Sequence, residues 1–177
     1  MEQLIKIDSE LTDLFNKIDD KDLTNIQFSK PLEFTLSDHN TRLKNYYNGK
    51  GIYFFEVLFK EDVQNEMTKL SIECNNLGFK DTPKLNSRNI DCCRNNDNWF
   101  ALYVGKNNKV LNRIKNHVSL DSKKTTSALK LTSRDFFAQK SFRVSYVDLS
   151  KIKNYEIIAS FLERKLREEY KPLLGKH

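Results

Sequence analysis

Only five glycines occur in this 177-residue chain, and two stand beside tyrosines in strand-like runs, Gly51-Ile52-Tyr53 and Tyr103-Val104-Gly105. A glycine inside a strand gives up packing and often marks the close approach of another backbone or a ligand. Taken singly, each tripeptide also reads as the start or stop of a strand. Lys106 follows Gly105 directly, and Lys109, Arg113 and His117 come next. At that spacing the helical ones share one face, while Val110, Leu111, Ile114 and Val118 take another. Arg113 offers two coplanar donors to a phosphate, and Lys106 a mobile point charge. Near the C-terminus Glu163 lies between Phe161-Leu162 and Leu166, at the margin of an apolar helical face. Its ordinary alternative is a surface pair with Arg167, four residues on.

These residue types suit phosphodiester hydrolysis, which needs an activated water, charge neutralisation on the phosphate and help for the leaving oxygen. One carboxylate with retained waters fits Mg2+ or Mn2+ better than a protein cage of several acids. The proton acceptor is the demanding part. A phenol of pKa ~10 must fall by ~3 units to be half ionised at neutral pH, about 4 kcal/mol of differential stabilisation. Tyr53, Tyr103 and His117 are all candidates, and the residues do not choose among them.

G-I-Y at 51–53, Y-V-G-K at 103–106, Arg113 and His117 four apart, and Glu163 on the last helix together resemble the GIY-YIG nuclease superfamily. The resemblance covers residues 51–177 and extends to S-A-L-K-L at 127–131 and to the order of elements. It implies an α+β fold with a three-stranded antiparallel sheet flanked by helices. It also implies a metal-dependent DNA endonuclease of restriction, defence or mobile-element type. Carried over, the catalytic set is Tyr53, Tyr103, Lys106, Arg113, His117 and Glu163, with Glu163 on the metal and Gly51 and Gly105 shaping the backbone. Lys109, Lys115, Lys130 and Arg134 are the expected nucleic-acid contacts. The chain departs from the family in two places. The 60–98 link between the first two strands is long, and the terminus offers Gly175, Lys176 and His177 where members often carry an asparagine. The alternative function is therefore a nucleic-acid-binding module of the same fold with impaired turnover.

The elements that must position these residues follow from periodicity. Leu4, Ile7, Leu11, Leu14, Phe15 and Ile18 predict an amphipathic helix over 2–19, expected to pack on its own domain. Residues 1–50 read as an N-terminal extension with a short strand candidate, LEFTL, at 32–36. Strands are predicted at 51–59, 99–105 and 142–149. Helices are predicted from Val63 to near Gly78, from about Asn108 through Val118, over 125–131, and from Asn154 to Pro172. Residues 79–98 read as a loop.

Charge is split along the chain. Residues 1–100 carry 13 Lys and Arg against 17 Asp and Glu, a net −4, whereas residues 101–177 carry 17 against 7, a net +10. The basic end suits a surface that meets phosphates. DNA is the expected partner, with RNA as the alternative. A homodimer would suit a cutter of palindromic sites. No apolar run approaches the ~20 residues needed to span a bilayer. The three cysteines, two of them adjacent, form neither a disulfide framework nor a metal knuckle, so a cytoplasmic chain with reduced thiols is expected.

Overall fold

The computed structural model of the protein describes residues 1–16, 26–60, 62–76, 78–79 and 81–175. Its α+β fold has five helices, a curled five-stranded antiparallel sheet and a two-stranded sheet among these residues. In chain order the elements are α1 (Glu2–Asn16), β1 (Leu32–Thr35), α2 (His39–Arg42), β2 (Gly51–Leu58), α3 (Val63–Asn76), β3 (Lys84–Leu85), β4 (Asn95–Asn96), β5 (Trp99–Asn107), α4 (Val110–Ser119), β6 (Ser141–Asp148), α5 (Tyr155–Tyr170) and β7 (Leu174–Gly175).

The large sheet runs β1-β6-β2-β5-β4, and β3 pairs with β7. The three strands expected from sequence are its middle. Two short edges, β1 and β4, make it five-stranded rather than three-stranded. The 32–36 segment thus belongs to the sheet, with Leu32 opposite Val144. β2 is the central strand and is buried along seven of its eight residues. That explains its unbroken apolar run, since a strand covered on both faces has no wet side to alternate with. The fully buried rings of Phe55, Phe59, Phe137 and Phe142 anchor the core, each burial contributing about 1.5–3 kcal/mol. One charged pair crosses the sheet. Glu56 on β2 takes two hydrogen bonds from the opposing Arg143, at 2.6 and 2.7 Å, so the carboxylate is buried with its charge matched.

The helices follow their apolar periodicity. α3 buries Met67 and Leu70, and the Asp62 carboxylate accepts the Gln64 and Asn65 amides at its start. α4 buries Val110, Leu111, Ile114 and Val118. α5 starts after Asn154, whose side chain makes no cap bond, and ends at Lys171 in a left-handed conformation. The chain then returns to β5, the Leu173 amide donating to the Ala101 carbonyl at 2.9 Å.

Two expectations are corrected. No helix forms over 125–131. Residues 127–130 have no regular secondary structure, Lys130 is left-handed with φ 54°, and short 3-10 turns follow at Leu131–Ser133 and Asp135–Phe137. The Leu129 amide that a helix would use inward is instead taken by the His117 ring. Likewise the described side chains of α1 do not show the expected packing on its own domain: Leu4, Ile5 and Ile7 are 64, 62 and 52% exposed. Positions 17–19 of its predicted span lie outside the described residues. Among the described residues, no helix is long and apolar enough to cross a membrane.

Candidate active site

The sheet register brings the two tyrosine–glycine motifs onto one face. Tyr53 on β2 is directly opposite Gly105 on β5, and Tyr103 lies two residues before Gly105 on the same side. A Cβ at Gly105 would lie 2.4 Å from the Tyr53 Oη and 2.8 Å from Tyr103 Cε1. Only a residue without a side chain lets both rings lie there, their centroids 6.2 Å apart and their planes within 27°. Gly51 meets a comparable limit, because a Cβ there would be 2.3 Å from the Val147 carbonyl of β6.

α4 supplies the next layer. His117 is fully buried, and its Nε2 is 2.8 Å from the Tyr53 Oη. Its Nδ1 accepts the Leu129 amide hydrogen at 3.0 Å. An amide only donates, so Nδ1 carries no proton and the ring's one hydrogen sits on Nε2, directed at Tyr53. Burial, and then the Arg113 charge, hold the His117 pKa well below its ordinary value, which keeps the ring neutral. His117 is therefore a hydrogen-bond donor to Tyr53, and its single acceptor atom is occupied. That removes it from the candidate proton acceptors.

A cavity of about 380 Å3 opens beside the tyrosines. Tyr103 and Lys106 from β5, Arg113 from α4, and Glu163 and Arg167 from α5 all wall it. Tyr53 does not line it and is only 1% exposed. The two phenols differ accordingly. Burial raises the Tyr53 pKa well above the usual value, with the neighbouring Tyr103 adding to it and Arg113 opposing. Burial also raises Tyr103, but there Arg167 is the leading opposing influence, Glu163 raises and Arg113 lowers.

The cations are placed unequally. Arg113 donates to the Ser127 carbonyl from the cavity wall. Lys106 reaches across to α5, giving hydrogen bonds to Glu156 at 3.0 Å and to Ser160 at 2.8 Å. Arg167 donates to Glu163 at 2.6 Å and to the Val104 carbonyl at 3.3 Å, while its buried Nε has no partner among the described residues. The ion pair offered by sequence as the ordinary alternative for Glu163 thus forms, but inside the cavity rather than on the surface. Arg167 is the site residue that sequence reasoning treated only as that pair. Its signal was the spacing that puts it on the face of Glu163.

The four expected nucleic-acid contacts divide. Lys109, just before α4, is exposed, and Lys115 is half-buried. Lys130 and Arg134 are corrected, because both are buried. The Lys130 ammonium donates to the Ser122 and Lys124 carbonyls, and Arg134 donates to Glu73 through Nε and Nη2, so neither charge faces solvent. The long 60–98 segment also contributes: Pro83, just ahead of β3, walls the cavity together with Gly175 of β7. Lys176 and His177 lie outside the described residues.

Among the described residues Glu163 is the one carboxylate on the cavity wall. Among the described residues no group of three or more His, Cys, Asp and Glu gathers as a metal cage. The donor set fits a single hard cation that keeps several waters, provided Glu163 exchanges Arg167 for it. Compared with known proteins, the chain matches no family model, no curated protein and no solved structure.

Proposed function

We propose that the chain is a metal-dependent DNA endonuclease of the GIY-YIG type, cytoplasmic and of restriction, defence or mobile-element kind. The observation that carries this reading is one cavity walled by Tyr103, Lys106, Arg113 and Glu163, with Tyr53 directly behind it across Gly105. The net +10 on residues 101–177 supports a polyanionic substrate.

In this reading Arg113 and Arg167 hold the scissile phosphate and stabilise charge as it grows on the non-bridging oxygens. Glu163 would hold one Mg2+ or Mn2+, which supplies further charge on the phosphate and acidifies a bound water. Tyr103 takes the proton of the attacking water, because it reaches the cavity and Tyr53 does not. Lowering a phenol pKa to neutrality takes about 4 kcal/mol and more where burial opposes, so both arginines are needed beside it. Tyr53 and His117 fix the ring from behind.

Supercoiled plasmid incubated with pure protein and Mg2+ or Mn2+ should be nicked or linearised, and Glu163→Gln should slow this at least about a hundredfold. No cutting by the wild type in either metal, or equal cutting by the variant, sinks the proposal. A second reading, a binding module without turnover, draws on the Glu163–Arg167 contact, which occupies the one acid of the cavity. It expects salt-steep DNA binding and no cleavage of any substrate.

A further inference from the structure

A second groove, of about 830 Å3, joins the cavity, with Pro83, Ser127 and Gly175 as common walls. Most of its lining comes from the long 60–98 segment, including Asn75, Phe79, Asp81, Lys84 and Leu85. The rim that the two share is fastened on both sides. β3 pairs with β7 through Lys84–Gly175 and Leu85–Leu174. Beside that pair the Asn86 amide donates to the Leu173 carbonyl and Asn89 Nδ2 to the Pro172 carbonyl, each at 2.8 Å. Across the mouth the Ser127 carbonyl accepts a hydrogen bond from Arg113. Below this rim the reacting groups are recessed. The Lys106, Arg167 and Glu163 side chains are 25, 25 and 15% exposed, and Tyr103 is 8% exposed.

We propose that the substrate of this site is an unpaired DNA strand, its scissile phosphate in the cavity and its neighbouring bases in the groove. The inference rests on the nuclease reading and deepens it by naming the substrate class. Charge divides the trough. Among the described residues the cavity sets three cations, Lys106, Arg113 and Arg167, against one carboxylate, Glu163. The groove sets one exposed cation, Lys84, against one exposed carboxylate, Asp81. Its other charge, Arg134, is wholly inaccessible and matched by Glu73, so it takes no part. A phosphodiester is therefore drawn to the cavity and gains nothing from the neutral groove. A base is uncharged, with apolar faces, and the half-buried Phe79 and Leu85 offer it an apolar wall. Stacking of this kind tolerates any base, so no sequence preference is expected. In a duplex each base is stacked and paired, and it reaches such a groove only by being unstacked, a cost that an unpaired strand does not bear. The 60–98 segment, where the chain departs from its family resemblance, thus acts as the substrate selector.

The test compares three DNA ligands of one length in EDTA, where no cutting occurs: a mixed-sequence single strand, the same strand annealed to its complement, and a strand of abasic spacers. Wild type should bind the single strand about tenfold or more tightly than the duplex, although the duplex carries the denser charge. It should also prefer the single strand to the abasic one by about tenfold, since only the bases differ. Phe79→Ser should bring the single strand down to the abasic level. Trimming a half-buried ring can loosen the chain, and the abasic strand makes the same test on unaltered protein. In Mg2+ or Mn2+, supercoiled plasmid, which opens unpaired segments, should be cut faster than the same plasmid relaxed. Equal binding of single strand and duplex, or of single strand and abasic strand, overturns the proposal. So does a preference for the single strand that survives Phe79→Ser intact. Both binding preferences without cutting in either metal keep the substrate class and remove the nuclease. Equal cutting of relaxed and supercoiled plasmid, without the binding preferences, does the reverse.

Discussion

His117 donates to Tyr53: with Nδ1 closed by the Leu129 amide, the Nε2 hydrogen has only the Tyr53 Oη, 2.8 Å away, to meet. The contact ties α4, β2 and the irregular 127–130 segment into one unit. It also makes the fold sensitive to pH. The buried ring refuses a proton that the unfolded chain accepts below about pH 6.5, so the unfolded state binds more protons there. Stability from this group is complete above pH 6.5 and is lost as pH falls toward the depressed folded value. The slope should approach about 1.4 kcal/mol per pH unit. Urea midpoints measured between pH 7 and 5 should fall in the wild type and flatten in His117→Leu. Asp38 and Asp148, whose hydrogen bonds hold them below the usual carboxylate range, act in a separate window below about pH 4.

Gly105→Ala should cost about 1–3 kcal/mol, because the new methyl must displace the Tyr53 hydroxyl or bend β5. Gly78→Ala is the control, since a Cβ there meets nothing within 4 Å. Thermal unfolding should separate the two variants by several degrees. Equal melting temperatures would show that the tyrosine rings can move aside at no cost.

Much of this was legible beforehand, for local reasons. β2, β5 and β6 are continuous or alternating apolar runs, and the sheet only confirms what burial on one or both faces already required. What sequence missed depends on partners far along the chain. Lys130 and Arg134 read as surface cations until loop carbonyls and Glu73, sixty-one positions away, internalise them. The 125–131 segment has helical composition, yet its Leu129 amide is taken by the distant His117 ring rather than by a helical turn. β4 and β3 are two residues each, too short for any periodicity. Arg167 was visible only as a spacing, and its part-buried place beside Glu163, with a further bond to the Val104 carbonyl of β5, depends on the packing of α5 on the sheet.

Arg167→Ala should separate two effects on cleavage. It removes the Arg167 ion pair from the Glu163 carboxylate, so half-saturation by Mn2+ should fall. It also removes the leading cationic influence on Tyr103, so the maximal rate should drop about ten- to a hundredfold. A metal dependence that does not move would mean the 2.6 Å pair does not compete with the ion.

The Lys106–Glu156 contact should matter little to stability, since Glu156 is 69% exposed and such pairs contribute about 0–1 kcal/mol. Glu156→Gln should instead release the Lys106 ammonium toward the cavity that its side chain walls. DNA binding should tighten slightly and become steeper in salt, by up to one additional phosphate contact in the log–log slope. A slope identical to wild type would place Lys106 outside the binding surface.

The two tyrosines should fail in different ways. Tyr103→Phe removes the hydroxyl at the cavity wall, so the maximal cleavage rate should fall at least about a hundredfold with little loss of stability. Tyr53→Phe leaves the His117 Nε2 hydrogen buried without an acceptor, which costs about 1–3 kcal/mol and shows first as a lower melting temperature. Its effect on rate should be smaller and should shrink on cooling, as the folded population recovers. Tyr53 would replace Tyr103 as the proton acceptor if its phenylalanine variant kept full stability and lost more activity. The 2.8 Å contact to His117 would then be a phenolate-stabilising bond rather than a positioning one.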